Sequence, residues 1–176
     1  AHHLTVNYRK AYHMFNVCGL LFNHEGILRG QEFVTRKISH AVAEFECGRV
    51  EPLSLGNLNA QRDWHDAEDA VKAMWLMLNH TEPDDFVIAT GQLHTIKEFV
   101  ERAFQVVNKT ILWEGDDIEE VGRLMETGNI VIRVDPQYFR PSEVNLLVGD
   151  ASKARKVLGW KPSTTFDGLV EKMVQS

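Results

Sequence analysis

Apolar residues recur along much of this chain three or four positions apart, the spacing of amphipathic helices. One such stripe predicts a helix over 33–47 that ends before Gly48; it comprises Phe33, Val34, Ile38, Val42 and Phe45. Further helices are predicted at 3–11, 67–78, 95–107, 151–158 and 166–174, with Thr95 as N-cap and Glu98 completing a capping box. We expect the 67–78 helix to bury Ala70, Val71, Met74 and Met77 or Leu78, with Trp75 also in the core.

Short apolar runs without helical spacing separate these segments. The run from Met14 to Phe22 predicts a buried strand, and shorter strands are predicted at 52–55, 85–89, 110–113 and 129–134. Strands that alternate with helices in this way are typical of an α/β fold with some parallel pairing.

Composition narrows the class of protein. The 176 residues are 44% hydrophobic and 25% charged, which is ordinary for a globular domain. A net charge of −6 argues against a nucleic-acid surface, so an anionic ligand needs a local cluster of Arg and Lys. No apolar run reaches the length of a membrane span. Cys18 and Cys47 have no metal-type spacing, so we expect reduced thiols in a cytoplasmic protein.

Two polar segments carry candidate ligand chemistry. Arg140-Pro141-Ser142-Glu143 sets a guanidinium, matched in shape to phosphate, three residues before a carboxylate that suits ribose hydroxyls. Asn23-His24-Glu25, with Arg29-Gly30, places similar groups in loop-like sequence between apolar runs. Together they indicate a nucleotide-sugar site, although a surface salt bridge for Arg140 and Glu143, and a structural role for His24, remain open.

Two motifs of nucleotide-dependent oxidoreductases are missing from the sequence. It contains neither a Gly-x-Gly-x-x-Gly dinucleotide fingerprint nor the Tyr-x-x-x-Lys pair with which short-chain dehydrogenases move a proton. We therefore predict that the chain carries no catalytic residue and performs no hydride chemistry on its own residues.

Segments along the whole sequence are similar, in order, to one family. They are Asn7–Tyr12, Leu21–Glu25, Phe33–Ile38, Leu55–Leu58, Arg62–Trp64, Ala73–Leu78, Phe86–Gly91 and Tyr138–Val144. They resemble GDP-mannose 4,6-dehydratase, an extended short-chain dehydrogenase. The resemblance implies the C-terminal half of such an enzyme, with both missing motifs in the other half.

This resemblance also implies a division into domains. Residues 1–24 would end a Rossmann-type NADP-binding domain, and residues 25–176 would form mainly a small α/β domain that binds the GDP-sugar. Residues 51–91 would return to the Rossmann-type sheet.

Site residues are implied in the same way. His24 and Arg29 would contact NADP, and Asn23 would donate to the sugar diphosphate. Lys37 would contact the nucleotide, Arg62 and Arg140 the phosphates, and Glu143 the ribose. A solvated helix face is the alternative for Lys37, and Arg36 beside it is left undecided. Where the family usually reads Asn-His-Glu-Ser-Pro-Arg-Arg-Gly, this chain has Gly26-Ile27-Leu28 before Arg29, which removes one cation from the cofactor loop.

Other polar residues are given structural roles. Asp63 is expected to hold Arg62 in place, and Asp66 or Asp69 to serve the first turn of the next helix. The spacing of Asp63, His65, Asp66 and Asp69 fits no standard ligand set, so no metal is predicted. We expect residues 116–120 to form a solvated acidic stretch, and His94 has no assigned chemistry.

The function implied is that of a lyase converting GDP-mannose to GDP-4-keto-6-deoxymannose with NADP, as part of a homo-oligomer without nucleic-acid or membrane partners. Two alternatives remain open. One is a non-catalytic nucleotide-sugar-binding or assembly fragment, and the other a dehydratase or epimerase acting on another nucleotide sugar.

Overall fold

A computed structural model describes residues 1–138 and 146–176, and the chain divides into two compact units. The first unit comprises Ala1–Glu25, Asp63–Gln92 and Val148–Thr165; the second comprises Gly26–Arg62, Leu93–Leu147 and Phe166–Ser176. The division into units does not show what either unit binds, so the predicted cofactor and substrate domains stay predictions. None of the described helices is long and apolar enough to cross a membrane.

Six α-helices lie in the described residues. They are α1 (His2–Tyr12), α2 (Val34–Glu46), α3 (Ala67–Leu78), α4 (Ile96–Val106), α5 (Ser152–Leu158) and α6 (Phe166–Val174). Two turns of 3-10 helix occupy Asp117–Glu119 and Pro136–Tyr138. Every predicted helix is confirmed, and the ends agree within a residue or two.

Eleven strands lie in the described part of the chain. They are β1 (Cys18–Leu21), β2 (Asn23–Glu25), β3 (Leu53–Leu55), β4 (Gln61–Arg62), β5 (Trp64–Asp66), β6 (Asp85–Ile88), β7 (His94–Thr95), β8 (Ile111–Glu114), β9 (Val121–Leu124), β10 (Ile130–Val134) and β11 (Leu146–Leu147). The predicted α/β class with parallel pairing is therefore confirmed.

The first unit is built on two parallel strand pairs. β1 pairs with β6, and β2 pairs with β5 so that His24 lies opposite His65. Its core combines residues of α3, β6 and α5 with the Trp160 indole: Ala73, Met77, Phe86, Ile88, Ala151, Ala154 and Trp160. The prediction of a buried strand from Met14 to Phe22 is wrong in extent and burial. β1 pairs with β6 in a two-stranded sheet, and its Leu20 is 44% exposed.

Helix α3 has the predicted bounds but buries a different face. Asp66 caps it, accepting a hydrogen bond from the Glu68 backbone N–H at 2.8 Å, as expected for this residue. The buried residues are Asp69, Ala70, Ala73 and Met77. The expected burial of Ala70, and of Met77 as one of two candidates, is confirmed, whereas the expected inward positions of Val71, Met74 and Trp75 are wrong; Trp75, for example, is 64% exposed. Small alanines and the anchored Asp69, rather than the largest apolar side chains, select the packed face.

Asp69 is anchored by donors from the segment after α5. Its carboxylate accepts hydrogen bonds from the Ser163 N–H at 2.9 Å, the Ser163 hydroxyl at 2.5 Å and the Thr164 N–H at 3.0 Å. The Trp160 indole donates to the Asp69 carbonyl at 2.9 Å. Burial alone would raise the Asp69 pKa, but the hydrogen bonds to its carboxylate from Ser163, Thr164 and Lys72 outweigh burial and lower the pKa below its ordinary value.

The second unit combines a four-stranded sheet with helices α2, α4 and α6. The strand order is β3-β10-β9-β8, parallel between β3 and β10 and antiparallel elsewhere. Thr95 caps α4 as predicted, accepting from the Glu98 N–H at 3.0 Å. A separate three-stranded sheet has the order β11-β4-β7.

The acidic stretch in this unit is not wholly solvated, which corrects the prediction. Glu120 is only 6% exposed, and its carboxylate accepts a hydrogen bond from the Lys97 ammonium. A buried carboxylate needs such a partner, so Glu120 serves packing while the neighbouring Asp116 and Asp117 stay exposed.

Candidate functional site

The predicted site residues fall into three groups. Asn23 and His24 lie on β2 in the first unit, whereas Arg29, Lys37 and Arg62 belong to the second unit. Arg140 and Glu143 lie in 139–145, outside the described residues.

His24 is half-buried in the first unit, with one ring nitrogen already engaged. Its Nδ1 lies 3.0 Å from the Phe22 carbonyl oxygen. A carbonyl oxygen can only accept, so Nδ1 carries the hydrogen of the neutral ring and Nε2 carries the lone pair. His24 therefore offers an acceptor, of the kind that the amide of a nicotinamide requires.

Beside His24 lies a buried histidine that sequence reasoning did not select. His65 is 1% exposed, and neither ring nitrogen has a hydrogen-bond partner among the described residues. Its ring centroid is 5.9 Å from that of His24. Burial, and then the nearby His24, lower the His65 pKa to about 4 against the opposing effect of Asp63, Asp69 and Asp66. His65 is therefore neutral at physiological pH.

Asp63 fixes the backbone around these histidines. Its carboxylate accepts hydrogen bonds from the Thr90 N–H and hydroxyl at 2.8 and 2.6 Å, from the Gly91 N–H at 2.8 Å and from the Gly149 N–H at 3.2 Å. Gly149 allows the close approach, because a Cβ there would lie 2.3 Å from the Ala89 Cβ. Asp63 thus joins its own backbone segment to two others, and its expected role in holding the Arg62 side chain stays a prediction.

In the second unit, Lys37 lies in the first turn of α2 and faces an aromatic ring. Its ammonium nitrogen is 5.0 Å from the centroid of the Tyr138 ring, a cation–π distance. Tyr138 is fixed in turn at the end of β3. A Cβ on Gly56 would lie 2.6 Å from the Tyr138 carbonyl oxygen, and the Asp135 N–H donates to the Leu55 carbonyl at 2.8 Å. Lys37, Gly56 and Tyr138 thus form one group, named here the Lys37 corner.

Arg36, left undecided by the sequence, is used structurally. Its Nη1 donates to the Met173 carbonyl at 3.2 Å and to the Ser176 hydroxyl at 2.9 Å. Both partners lie at the end of α6 or just beyond it. Lys37 is therefore the better candidate of the two for a ligand.

Arg29 lies flat on an aromatic ring at the end of the altered loop. Its guanidinium carbon is 3.5 Å from the centroid of the Phe33 ring. The backbone N–H of Arg29 donates to the Gly26 carbonyl at 3.0 Å. The contact with Phe33 is a cation–π arrangement that uses the face of the guanidinium. Leu28, in place of the family's arginine, is 94% exposed.

Arg62 lies in the middle strand of the three-stranded sheet. It pairs in register with His94 of β7 and Leu147 of β11, and its Nη1 donates to the Gln61 carbonyl at 2.8 Å. In the sequence, Tyr138 of the Lys37 corner and Leu146 of β11 are the described residues on either side of 139–145.

His94 was given no chemistry, and its contacts in this unit are structural. Its ring stacks on Phe166 with centroids 3.7 Å apart, and its Nδ1 lies 3.0 Å from a Glu98 carboxylate oxygen. These contacts connect β7 to α4 and α6.

Solved structures share this fold along nearly the whole chain. RMD from Pseudomonas aeruginosa, complexed with NADPH, has a TM-score of 0.80 at 19% identity, covering 98% of this chain and 52% of that one. The dTDP-glucose 4,6-dehydratase of Bacillus anthracis, complexed with NAD, has a TM-score of 0.77 at 18% identity, with 99% and 48% covered. These likenesses define the class by fold alone: the chain has the α/β fold of the extended short-chain dehydrogenases.

Sequence similarity gives the family within that class. The family model of GDP-mannose 4,6 dehydratase matches residues 1–173. The GDP-mannose 4,6 dehydratases of Cricetulus griseus and Homo sapiens are 56% and 54% identical over 176 residues, covering 100% of this chain and 47% of each relative. That of Sinorhizobium fredii is 51% identical, with 99% and 50% covered. The chain belongs to the GDP-mannose 4,6-dehydratase family, which confirms the resemblance predicted from the sequence.

The match covers only part of each relative. The chain spans about half the length of the curated relatives it matches. Its assignment to their C-terminal half stays a prediction.

Proposed function

We propose that this chain forms the GDP-binding part, and a portion of the NADP site, of a protein that converts GDP-mannose to GDP-4-keto-6-deoxymannose and water. The match to GDP-mannose dehydratases over residues 1–173 carries this proposal. We expect the whole protein to be a cytoplasmic homo-oligomer, as its resemblance implies.

The reaction requires groups that this chain does not supply. Overall, hydrogen leaves C4, water is lost across C5 and C6, and hydrogen is added at C6. When bound, NADP supplies the acceptor and donor of that hydride. The Tyr-x-x-x-Lys pair is missing from the sequence, so we propose that the isolated chain has no turnover.

Nucleotide binding is the step in which this chain's residues take part. Lys37, Arg62 and Arg140 would neutralise the diphosphate, Asn23 would donate to it, and Glu143 would accept from the ribose hydroxyls. Two observations on described residues support this grouping. Lys37 faces the Tyr138 ring, and Arg62 pairs in register with Leu147 of β11; Tyr138 and β11 flank Arg140 and Glu143 in the sequence.

The resemblance assigns two of the described residues to the nicotinamide cofactor, one in each unit. The contact of His24 Nδ1 with the Phe22 carbonyl leaves Nε2 as the acceptor of the neutral ring form, and Arg29 supplies a guanidinium stacked on Phe33. The loop before Arg29 has Gly26, Ile27 and Leu28, and the exposed Leu28 supplies no charge. We therefore propose that NADP binds through His24 and Arg29 with one cation fewer than the family pattern provides.

Calorimetric titration of the chain with GDP, with UDP as a control, tests the proposal. We expect saturable binding of GDP in preference to UDP, weakened about tenfold or more in Arg140→Ala, because one charge-assisted hydrogen bond contributes about 1.5–3 kcal/mol. Lys161→Ala removes an exposed cation of the first unit and is the matched control.

The alternatives give different outcomes in the same titration. Preference for UDP would indicate a relative acting on another nucleotide sugar. A folded chain that binds neither nucleotide would favour an assembly fragment, and in both cases the proposal would be wrong.

A further inference from the structure

Three side chains far apart in the sequence converge in the first unit. They are His2 at the start of α1, Cys18 at the start of β1 and Asp85 at the start of β6. One ligand atom from each lies within 4.8 Å of the others, and all three residues are half-buried. Cys18 and Asp85 are register partners across the β1–β6 pair, and His2 Nε2 lies 2.7 Å from an Asp85 carboxylate oxygen. This group is named here the His2 cluster.

We propose that the His2 cluster binds a zinc ion. An imidazole nitrogen, a thiolate sulfur and a carboxylate oxygen are all ligands of Zn²⁺, at about 2.0–2.3 Å from the metal. Three such ligands around one ion lie about 3–4 Å apart, so movements of the side chains alone bring the donors into place. Mg²⁺ and Ca²⁺ prefer oxygen ligands, and the thiolate selects against them. The fourth position is left for water.

Charges around the cluster set an upper limit on the affinity. The Arg9 guanidinium bonds the other oxygen of Asp85, which orients the carboxylate but opposes a dication. Asp84, next in the chain, is paired with the Lys153 ammonium at 2.6 Å. Only the Cys18 thiolate and the Asp85 carboxylate therefore supply negative charge, against Arg9, and we expect a micromolar rather than a nanomolar site.

Proton release gives the site a pH dependence of known sign. The Asp85 carboxylate accepts from His2, so Nε2–H must move its hydrogen to Nδ1 before Nε2 can bind metal. The Cys18 thiol must also lose its proton. Zinc binding at this site therefore releases a proton, and its affinity increases with pH.

The ion would add an attachment for α1, none of whose eleven residues is buried. Among the described residues, the side chains of His2 and Arg9 bond Asp85 of the β1–β6 pair, and Arg9 also donates to the Asn16 carbonyl at 2.6 Å. A zinc ion on His2, Cys18 and Asp85 would replace one of these hydrogen bonds by coordination that joins α1 to β1 and β6. This role is independent of the proposed nucleotide site.

Titration of the tag-free chain with Co²⁺ and Zn²⁺ tests the proposal. We expect one equivalent of Co²⁺ to produce a near-ultraviolet thiolate charge-transfer band, which Zn²⁺ abolishes and excess Mg²⁺ leaves unchanged. Cys18→Ser removes the sulfur at nearly constant size, and should eliminate the band and weaken Zn²⁺ binding at least tenfold. His2→Ala should weaken binding to a similar extent.

Two matched variants complete the test. Cys47→Ser changes the other cysteine, and His3→Ala changes the other histidine at the start of α1; both should bind as the wild type does. The proposal is overturned if the folded chain binds no Zn²⁺, or if Cys18→Ser binds it equally well. Binding lost in His3→Ala but retained in Cys18→Ser would indicate a surface histidine pair and would overturn it too.

Discussion

The two units use their polar side chains in opposite ways. In the first unit, Asp63 and Asp69 are fully buried, and their oxygens are filled by donors from distant backbone segments. In the second unit, the candidate ligand-binding cations Arg29 and Lys37 are partly exposed and lie on aromatic rings. Buried carboxylates that receive backbone donors hold loops together, whereas a partly exposed cation on an aromatic ring lies where a ligand in solvent can reach it. We therefore expect the first unit's carboxylates to determine stability and the second unit's cations to determine binding.

The largest effect is expected at Asp63. Replacing it in Asp63→Ala leaves the N–H groups of Thr90, Gly91 and Gly149 without their acceptor. We expect a loss of about 3 kcal/mol or more in the free energy of unfolding, measured by urea denaturation. Glu82→Gln, an exposed carboxylate of the same unit, should change it by less than about 0.5 kcal/mol. A similarly small change in Asp63→Ala would contradict the statement that the buried carboxylates of the first unit determine stability.

Asp69 should show a somewhat smaller effect that depends on pH. In Asp69→Asn we expect a loss of about 2 kcal/mol at pH 7, because the charge-assisted bonds from Ser163 and Thr164 weaken. The folded-state pKa lies below the unfolded value, so the stabilisation is present above the unfolded pKa and disappears as pH falls through the folded one. The difference between wild type and variant should therefore shrink in strong acid. A constant difference down to pH 2 would contradict this account.

Lys37 tests whether the cations of the second unit determine binding and not stability. Lys37→Met keeps much of the side chain but removes the ammonium beside Tyr138. We expect GDP binding to weaken about tenfold, measured by calorimetry, while the free energy of unfolding changes by less than about 0.5 kcal/mol. Lys109→Met, at a cation of the same unit paired with Glu46, is the control that should leave binding intact. A large loss of stability without loss of binding would assign Lys37 to structure.

His65 is expected to show the smallest effect at neutral pH. An apolar side chain of similar size in His65→Leu removes two buried nitrogens without partners, so the free energy of unfolding should change by about 1 kcal/mol or less. The low folded-state pKa makes wild-type stability fall as pH decreases from 6.5 towards about 4, since the unfolded chain takes up the proton first. The variant should lack this decrease. Parallel pH profiles of unfolding would show that His65 does not titrate as described.

The sequence predicted the longer helices well because their signals are local. Helix α4 has its N-cap at Thr95, and α3 begins directly after its N-cap Asp66, as expected. It predicted the buried face of α3 poorly. The large apolar residue Trp75 faces outward, because distant Ser163 and Thr164 fix the Asp69 side of the helix. That partner lies far along the chain and leaves no local pattern.

The shortest strands, and sites built from several elements, were not predicted because their partners are also distant in the sequence. β2, β4, β5, β7 and β11 are two or three residues long and exist only through their pairing. The His2 cluster joins three elements whose spacing along the chain fits no ligand motif. The site residues Lys37 and Arg62 were selected through family resemblance, and the Gly56–Tyr138 contact beside Lys37 is visible only in the structure.

We propose that this chain holds the nucleotide without performing the chemistry. The decisive measurement adds GDP-mannose and NADP to one preparation of the chain, records the heat of binding and assays for the 4-keto sugar. We predict saturable binding of GDP-mannose and no GDP-4-keto-6-deoxymannose. Formation of the keto sugar, or no binding by a folded chain, would contradict the account.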